Sequence, residues 1–143
     1  MLQIIYYILF SIVLIFGLYF ALLSLFAFIK RKNSIKTHDA KTKFAVLIAA
    51  RNEANVIGDL VESLKAQKYP AELYDIYALV NNCTDQTEKV ARDAGAKIMN
   101  IEVPVKCKGD VLKYAFAKLK LFNYNAYVIF DADNEVHPEF LSY

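Results

Sequence analysis

Two aspartates near the C-terminus are the residues of this chain best suited to bind a metal ion. Asp131 and Asp133 directly follow the apolar run Tyr127 to Phe130, and no basic residue lies next to either of them. Mg²⁺ and Mn²⁺ prefer oxygen ligands, and one or two carboxylates commonly share such an ion with substrate phosphates. The pair therefore predicts a metal site at which the ion would offset charge on a leaving diphosphate. A solvated acidic turn, in which Asp133 or Asn134 caps the next segment, is the alternative.

Polar residues also follow two earlier apolar runs and precede a later amphipathic run. These segments are Ala49-Ala50-Arg51-Asn52-Glu53, Asn81-Asn82-Cys83-Thr84-Asp85 and Lys108-Gly109. Glycine after Lys108 would permit close approach of the backbone to a phosphate, although an ordinary exposed lysine is the alternative. Asn81 and Asn82 have an alternative role as turn residues. Thr84 and Asp85 are expected to cap the following helix, whose free N–H groups their side chains can satisfy.

Alternating strand and helix patterns must position these residues. Helices are predicted at 55–67, from Asp85 to near Gly95, and around 111–119, and Asp85 with Glu88 resembles a capping box. Such alternation predicts an α/β fold with a mainly parallel sheet, in which ligands bind at the carboxyl ends of the strands. The strands are predicted at Phe44–Ala50, Tyr74–Val80, Lys97–Ile101 and Tyr127–Phe130.

The N-terminal segment is predicted to anchor the chain in a membrane. Residues 1–29 contain no charged side chain, and a helix over Leu2 to Ile29 would measure roughly 42 Å, against about 30 Å for the hydrocarbon core of a bilayer. Positive charge follows this segment and does not precede it, which argues against a cleaved signal peptide. Residues 30–43 form a basic linker with six Lys and Arg. The positive-inside rule then predicts a single-pass protein of the cell membrane with its C-terminal domain in the cytoplasm.

Composition excludes several other classes of protein. Residues 44–143 hold eleven basic and fourteen acidic side chains, so the globular part lacks the basic surface that nucleic-acid binding needs. The turn after the first strand contains no glycine, which excludes the dinucleotide-binding and P-loop fingerprints. Cys83 and Cys107 lack metal-type spacing and are predicted to be free thiols.

Four short strings in this order resemble the N-terminal half of bacterial family 2 glycosyltransferases of the exopolysaccharide or cellulose-synthase-like kind. They are AARNEA, NNCTD, KGD and FDADN, and the resemblance covers residues 44–143. It implies a partial GT-A domain, the Rossmann-like fold that binds nucleotide sugars. It also implies transfer of a sugar, with inversion, from a UDP- or GDP-sugar to a glycan or lipid acceptor.

The resemblance also implies a role for each matching residue. Ala49, Ala50, Arg51, Asn52 and Glu53 would line the base and ribose pocket, and Lys108 with Gly109 would meet the diphosphate. Asp131 and Asp133 would reach the ribose and a Mg²⁺ or Mn²⁺ ion. Asn81 stands where the family usually has an aspartate facing the base. Because an amide both donates and accepts hydrogen bonds, it could still bind uracil.

The resemblance leaves the catalytic base unassigned. Family members supply it from an acidic residue well beyond the first carboxylate pair, and this chain ends ten residues after Asp133. We therefore expect a truncated frame, a gene fragment or one part of a split enzyme, without activity by itself. A non-catalytic subunit that associates with a larger transferase is the main alternative. A phosphatase-like use of the Asp-x-Asp pair is another, but there the pair usually opens the domain.

Overall fold

The computed structural model describes residues 1–27 and 40–142 of the chain. The chain divides into two units, of which the first contains one long helix and the second contains the sheet. Residues 28–39, which include the end of the predicted anchor and most of the predicted linker, lie outside the described residues.

The N-terminal unit contains the helix α1, Leu2–Ala27. Its span Leu2–Phe26 has a mean hydropathy of 2.6 and is long and apolar enough to cross a membrane. Its two serine hydroxyls donate to carbonyls of their own helix, Ser11 to Tyr7 at 2.8 Å and Ser24 to Ala21 at 2.7 Å. Such internal bonds satisfy polar groups that lipid could not. The predicted apolar helix is confirmed, whereas its insertion in a membrane stays a prediction.

The second unit is built on four parallel strands. The strands lie in the order β3-β2-β1-β4, and helices connect them: α2 (Ile57–Lys65), α3 (Thr87–Ala94) and α4 (Lys108–Leu119). The predicted parallel α/β sheet is therefore confirmed. The strands are β1 (Phe44–Ala50), β2 (Tyr74–Val80), β3 (Lys97–Asn100) and β4 (Ala126–Asp131).

The strand order reverses direction between β1 and β4. From β1 the chain adds β2 and β3 on one side, and then crosses to place β4 on the other side of β1. Ligands of open α/β sheets bind outside the carboxyl ends of the strands at such a switch point. The fold therefore favours a site near Ala49, whose register partners are Leu79 in β2 and Asp131 in β4.

Alternate side chains of β1 enter two separate cores. Val46 and Ile48 pack among residues of α2 and α3, and both are fully buried. Ala45 and Leu47 pack on the opposite face, where α4 contributes Ala115 and other residues. Because β1 is buried on both faces, it reads as the continuous apolar run expected of a central parallel strand.

A polar cluster lies at the amino end of the sheet, opposite the predicted ligand edge. Asp75 pairs with Lys97 at 2.6 Å and accepts the hydroxyl of Tyr124, which in turn contacts the hydroxyl of Tyr77 at 2.8 Å. Burial acts to raise the pKa of Asp75, but the bonds from Lys97 and Tyr124 outweigh it and lower that pKa. These contacts stabilise the sheet end that carries none of the predicted site residues.

One predicted helix start is wrong in detail. The helix α3 begins at Thr87 rather than Asp85, and Glu88 bonds forward to Arg92 instead of forming a capping box. Asp85 does accept the N–H of Thr87 at 3.0 Å, as expected of a residue that satisfies a free donor of the helix. Thr84 makes its contacts to the turn after β1 and does not cap the helix. The left-handed Gly95 ends the helix as predicted.

Candidate functional site

The turns after β1 and β2 each contain an asparagine in the left-handed conformation. Asn52 has a φ of +59° and Asn82 has a φ of +47°, values that asparagine tolerates better than most residues. The Oδ1 atom of Asn52 accepts the backbone N–H of Thr84 at 2.8 Å. Asn52 therefore joins the two turns and does not line the cleft described below.

Two further hydrogen bonds join the same turns. The N–H of Glu53 donates to Oγ1 of Thr87 at 2.8 Å, and the N–H of Ala54 donates to Oδ2 of Asp85 at 3.1 Å. Thr87 is fully buried, and its hydroxyl donates to Oδ1 of Asp85. The turn after β1 is thus held against the start of α3 by one hydroxyl and one carboxylate.

The acid stability of this junction should depend on the Thr87 hydroxyl. That hydroxyl, with the N–H groups of Thr87 and Ala54, favours the carboxylate and lowers the pKa of Asp85. A lowered pKa contributes stability that is present above the unfolded value of about 3.9 and is lost as the pH falls through the folded-state pKa. Circular dichroism should show that the melting temperature of both proteins decreases as the pH is lowered from about 6 to about 3. We expect the decrease to be smaller for Thr87→Val than for the wild type.

Thr84→Val is the matched control for this measurement. It also removes a hydroxyl, but that hydroxyl contacts Oδ1 of Asn52 at 3.4 Å and leaves Asp85 untouched. Its melting temperature should keep the wild-type dependence on pH. Equal slopes for Thr87→Val and the wild type would contradict the assigned role of Thr87.

A cleft of about 240 Å³, hereafter the edge cleft, lies at the carboxyl ends of β1 and β2. It contains six of the ten predicted site residues, namely Ala49, Ala50, Arg51, Glu53, Asn81 and Lys108. Three of its side chains are basic and one is acidic, so its charge suits an anionic ligand. The lining is completed by Leu79, Val105, Lys106, Cys107 and Val111.

The missed lining residues had weak signals in the sequence. Leu79 and Val111 belong to the apolar patterns of β2 and α4, which indicate a core and not a site. Lys106 lies two residues before Lys108, and this repeated charge could have drawn attention to it. Cys107 gave no signal beyond its spacing to Asp110.

The helix α4 begins at the edge cleft, and its N-terminus forms a capping box that was not predicted from the sequence. Cys107 is its N-cap, and Oδ2 of Asp110 accepts the N–H of Lys106 at 2.9 Å and that of Cys107 at 3.2 Å. These two bonds lower the pKa of Asp110. The N–H groups of Lys108 and Gly109 belong to the first turn and have no partner within the helix. A helix start of this kind attracts anions.

Lys108 reaches from α4 to the end of β4. Its Nζ atom pairs with Oδ1 of Asp131, and Asp131 lies beside Ala49 in the register of β1 and β4. The Asp131 side chain is 65% exposed, so it is open to a ligand. The structure therefore brings Asp131 next to the edge cleft through Lys108, although neither Asp131 nor Gly109 lines the cleft.

Asp133 faces a different cleft. The turn after β4 is closed by the N–H of Asn134, which donates to the carbonyl of Asp131 at 3.2 Å. Within residues 1–27 and 40–142, no three His, Cys, Asp or Glu side chains are grouped closely enough to hold a metal ion. Asp133 lines a cleft of about 240 Å³ together with Val56, Asp59, Ser63, Asn134 and Glu135.

The donor chemistry at Asp131 fits a hard divalent cation that is shared with a ligand. Its carboxylate is exposed, stands at the ligand edge of the sheet, and is bonded through one oxygen to Lys108. Mg²⁺ usually keeps several waters and takes one or two carboxylates together with substrate phosphates. The residues present therefore fit an ion held jointly with a diphosphate, and not an ion held by the protein alone.

Another cleft of the second unit is larger than the edge cleft and lacks the predicted residues. It measures about 460 Å³ and contains none of the ten predicted site residues. It shares Lys106 with the edge cleft. Its lining comes from α4 and the preceding loop, namely Val103, Pro104, Lys106, Asp110, Lys113, Tyr114 and Ala117.

One protein-family model matches most of this chain. The model described as glycosyltransferase like family 2 matches residues 41–143. The chain belongs to this family. Protein RfbJ of Shigella flexneri is 34% identical to this chain over 90 residues. These residues are 63% of this chain and 64% of RfbJ. The 4,4'-diaponeurosporenoate glycosyltransferase of Staphylococcus aureus strain N315 is 32% identical over 74 residues, 46% of this chain and 19% of the relative.

Solved structures share the fold of this family 2 chain. S. aureus TarS 1-349 in complex with UDP matches with a TM-score of 0.60 and 24% identity, over 69% of this chain and 30% of TarS 1-349. Glucosyl-3-phosphoglycerate synthase from Mycobacterium tuberculosis, in complex with Mn²⁺, UDP and glucosyl-3-phosphoglycerate, matches with a TM-score of 0.54 and 26% identity, over 69% and 37% of the two chains. The second unit therefore has the GT-A nucleotide-sugar fold. The chain spans less than two thirds of these relatives.

Proposed function

We propose that this family 2 chain binds a nucleotide-diphosphate sugar in the edge cleft, as the donor half of a glycosyltransferase site. The observation that carries the proposal is the meeting of Arg51, Glu53, Asn81 and Lys108 in one cleft, although they come from three separate segments of the chain. The synthase complex with Mn²⁺ and UDP supports a uridine diphosphate donor, and a GDP-sugar is the alternative. The acceptor would be a glycan or a lipid.

The basic side of the cleft would bind the diphosphate. Lys108, Lys106 and Arg51 all line the cleft, and the first N–H groups of α4 have no acceptor within the helix. Cations and a helix start acting together fix a diphosphate in position, and positioning by itself lowers the barrier to transfer. Gly109 follows Lys108, and a Cβ atom there would meet only Sγ of Cys107 at 3.5 Å. Its lack of a side chain leaves room for a phosphate.

The apolar side of the cleft would take the nucleoside. Ala49 and Ala50 end β1 with small side chains, and Leu79 and Val111 provide apolar walls from the two neighbouring elements. A ring placed between such surfaces would be desolvated at little cost. Glu53 and Asn81 supply polar groups for the ribose and the base.

Asp131 and Asp133 are the proposed ligands of a divalent cation. When bound, Mg²⁺ or Mn²⁺ would offset the charge on the departing diphosphate. The synthase complex that contains Mn²⁺ together with UDP supports this part of the proposal. Asp131 stands beside the diphosphate-binding Lys108, so it is the stronger candidate of the two.

We also propose that α1 anchors the second unit to the cell membrane. The charge-free helix and the basic residues that follow it in the sequence support a single-pass arrangement with residues 44–143 on the cytoplasmic side. No nucleic-acid partner is proposed.

Calorimetric titration of the full chain in detergent with UDP and Mn²⁺ tests the donor site. We expect binding that depends on Mn²⁺ in the wild type and that is lost in Asp131→Asn/Asp133→Asn. Asp93→Asn is the matched control, because it removes an acidic group of α3 that lines neither the edge cleft nor the cleft of Asp133. Failure of the folded wild type to bind UDP at millimolar concentration would overturn the proposal.

A subunit of a larger transferase is the second candidate. The observation that favours it is the open strand β4, whose side chains Tyr127 and Ile129 are 36% and 41% exposed. An open strand with apolar side chains offers a template for pairing with another chain. Salt-resistant copurification with a second transferase chain would support this role, and a monomeric extract would count against it.

A further inference from the structure

The side chain of Asn81 is a buried amide with an unused donor. Asn81 is only 4% exposed, and its Nδ2 atom is the one buried side-chain nitrogen or oxygen among the described residues that lacks a hydrogen-bond partner. Burying an amide donor without an acceptor is costly, so native proteins rarely leave one unless a ligand or water completes it. Asn81 lines the edge cleft, so a molecule bound there could supply the acceptor once the side-chain amide turns toward it.

A role as a turn residue does not explain Asn81. The left-handed residue of this turn is Asn82, and Asn81 itself has no positive φ. The backbone of Asn81 is already satisfied, because its N–H donates to the carbonyl of Ala50 at 3.4 Å and its carbonyl accepts the thiol of Cys83 at 3.8 Å. The side-chain amide contributes to neither bond. A buried amide whose donor takes part in no hydrogen bond points to a ligand.

An amide and a carboxylate select different nucleobases. Uracil presents one donor, N3–H, beside the acceptors O2 and O4, whereas cytosine presents the acceptor N3 beside the donor N4–H₂. A carboxylate only accepts, so it pairs with N3–H of uracil and repels the N3 lone pair of cytosine. An amide offers one donor and one acceptor side by side. It can meet O4 and N3–H of uracil, or N3 and N4–H₂ of cytosine.

We propose that Asn81 binds the pyrimidine edge of the donor nucleotide and makes the edge cleft accept cytidine diphosphates as readily as uridine diphosphates. The inference rests on the proposed donor site and adds to it the class of base. With either base Nδ2 of Asn81 gains its missing acceptor and Oδ1 accepts the neighbouring N–H. An aspartate at this position would restrict the cleft to uracil.

Separate calorimetric titrations of the full chain in detergent, one with UDP and one with CDP and each with Mn²⁺, test this inference. We expect the two dissociation constants of the wild type to agree within about threefold, because both bases satisfy the amide. In Asn81→Asp the constant for CDP should exceed that for UDP by more than about tenfold, since one donor is lost and two acceptors oppose each other. Asn81→Ala should weaken both nucleotides by a similar factor.

Each outcome decides the inference. A wild type that prefers UDP by more than about tenfold overturns it, as does an Asn81→Asp variant with an unchanged ratio. If Asn81→Asp does not fold, Asn81→Ala decides, because unaltered affinities for both nucleotides would mean that Asn81 does not contact the base. Binding of neither nucleotide by the wild type overturns the donor site itself, a result distinct from binding with uridine selectivity.

Discussion

Replacement of Lys108 by methionine should weaken the binding of UDP by between about tenfold and a hundredfold. The variant keeps the length of the side chain and removes its charge, so it loses a charge-assisted bond to the diphosphate, which contributes about 1.5–3 kcal/mol. It also removes the ion pair with Asp131. Because that pair is exposed, its loss should change the melting temperature little. Calorimetry with UDP and Mn²⁺ measures the affinity, and circular dichroism measures the stability.

Lys118→Met is the matched control for Lys108→Met. Lys118 belongs to the same helix, but it lies in its last turn and stacks on the ring of Tyr114, with Nζ 5.5 Å from the ring centroid. It lines neither the edge cleft nor the larger cleft on α4. The control should bind UDP as the wild type does. Equal affinities for all three proteins would remove Lys108 from the site.

Truncation of Leu79 should lower the stability strongly. Leu79 is fully buried between the sheet and α4, and it also lines the edge cleft. A Leu→Ala change in such a core costs about 2–5 kcal/mol, because it loses buried area and leaves a cavity. Domains of this size are stable by only about 5–15 kcal/mol. Chemical denaturation of Leu79→Ala in detergent should therefore show a much lower midpoint than that of the wild type.

Leu64→Ala separates stability from binding in this experiment. Leu64 is equally buried, but it belongs to α2 and packs in the core on the other face of the sheet. Both variants should lose stability by a similar amount, whereas only Leu79→Ala should bind UDP more weakly at a temperature where both are folded. Normal binding by Leu79→Ala would indicate that α4 keeps its position without this contact.

The fold was largely predictable because its two central strands, β1 and β2, are buried and must therefore be apolar. The run Phe44 to Ala50 was predicted with the bounds that the structure has, since both of its faces are buried. The start of α3 was less predictable. Asp85 has the chemistry of an N-cap, but its oxygens bond across to Ala54 as well as to Thr87, and the helix begins later. Tertiary contacts of this kind are not visible in local spacing.

The sequence predicted which residues belong to the candidate site better than it predicted how their side chains are placed. Residues at strand ends, such as Arg51 and Asn81, reach one cleft because parallel strands end at one edge. The cleft that Asp133 lines was not predictable, because it depends on the turn after β4 that the N–H of Asn134 closes. Sequence also gave no sign that the donor of Asn81 lacks a partner, since burial and hydrogen bonding are properties of the folded chain.

The position of β4 beside β1 has a consequence for the order in which the sheet can be completed. The backbone of Lys43, just before β1, donates to the side chain of Asn125, a residue 82 positions later. Closing so long a loop costs entropy before any bond across it forms, whereas β2 follows β1 after a single helix. On the ribosome, the flank of β1 that β4 will cover therefore stays unpaired through the synthesis of α2, β2, α3, β3 and α4. Throughout that interval an apolar strand is open to pairing with other chains.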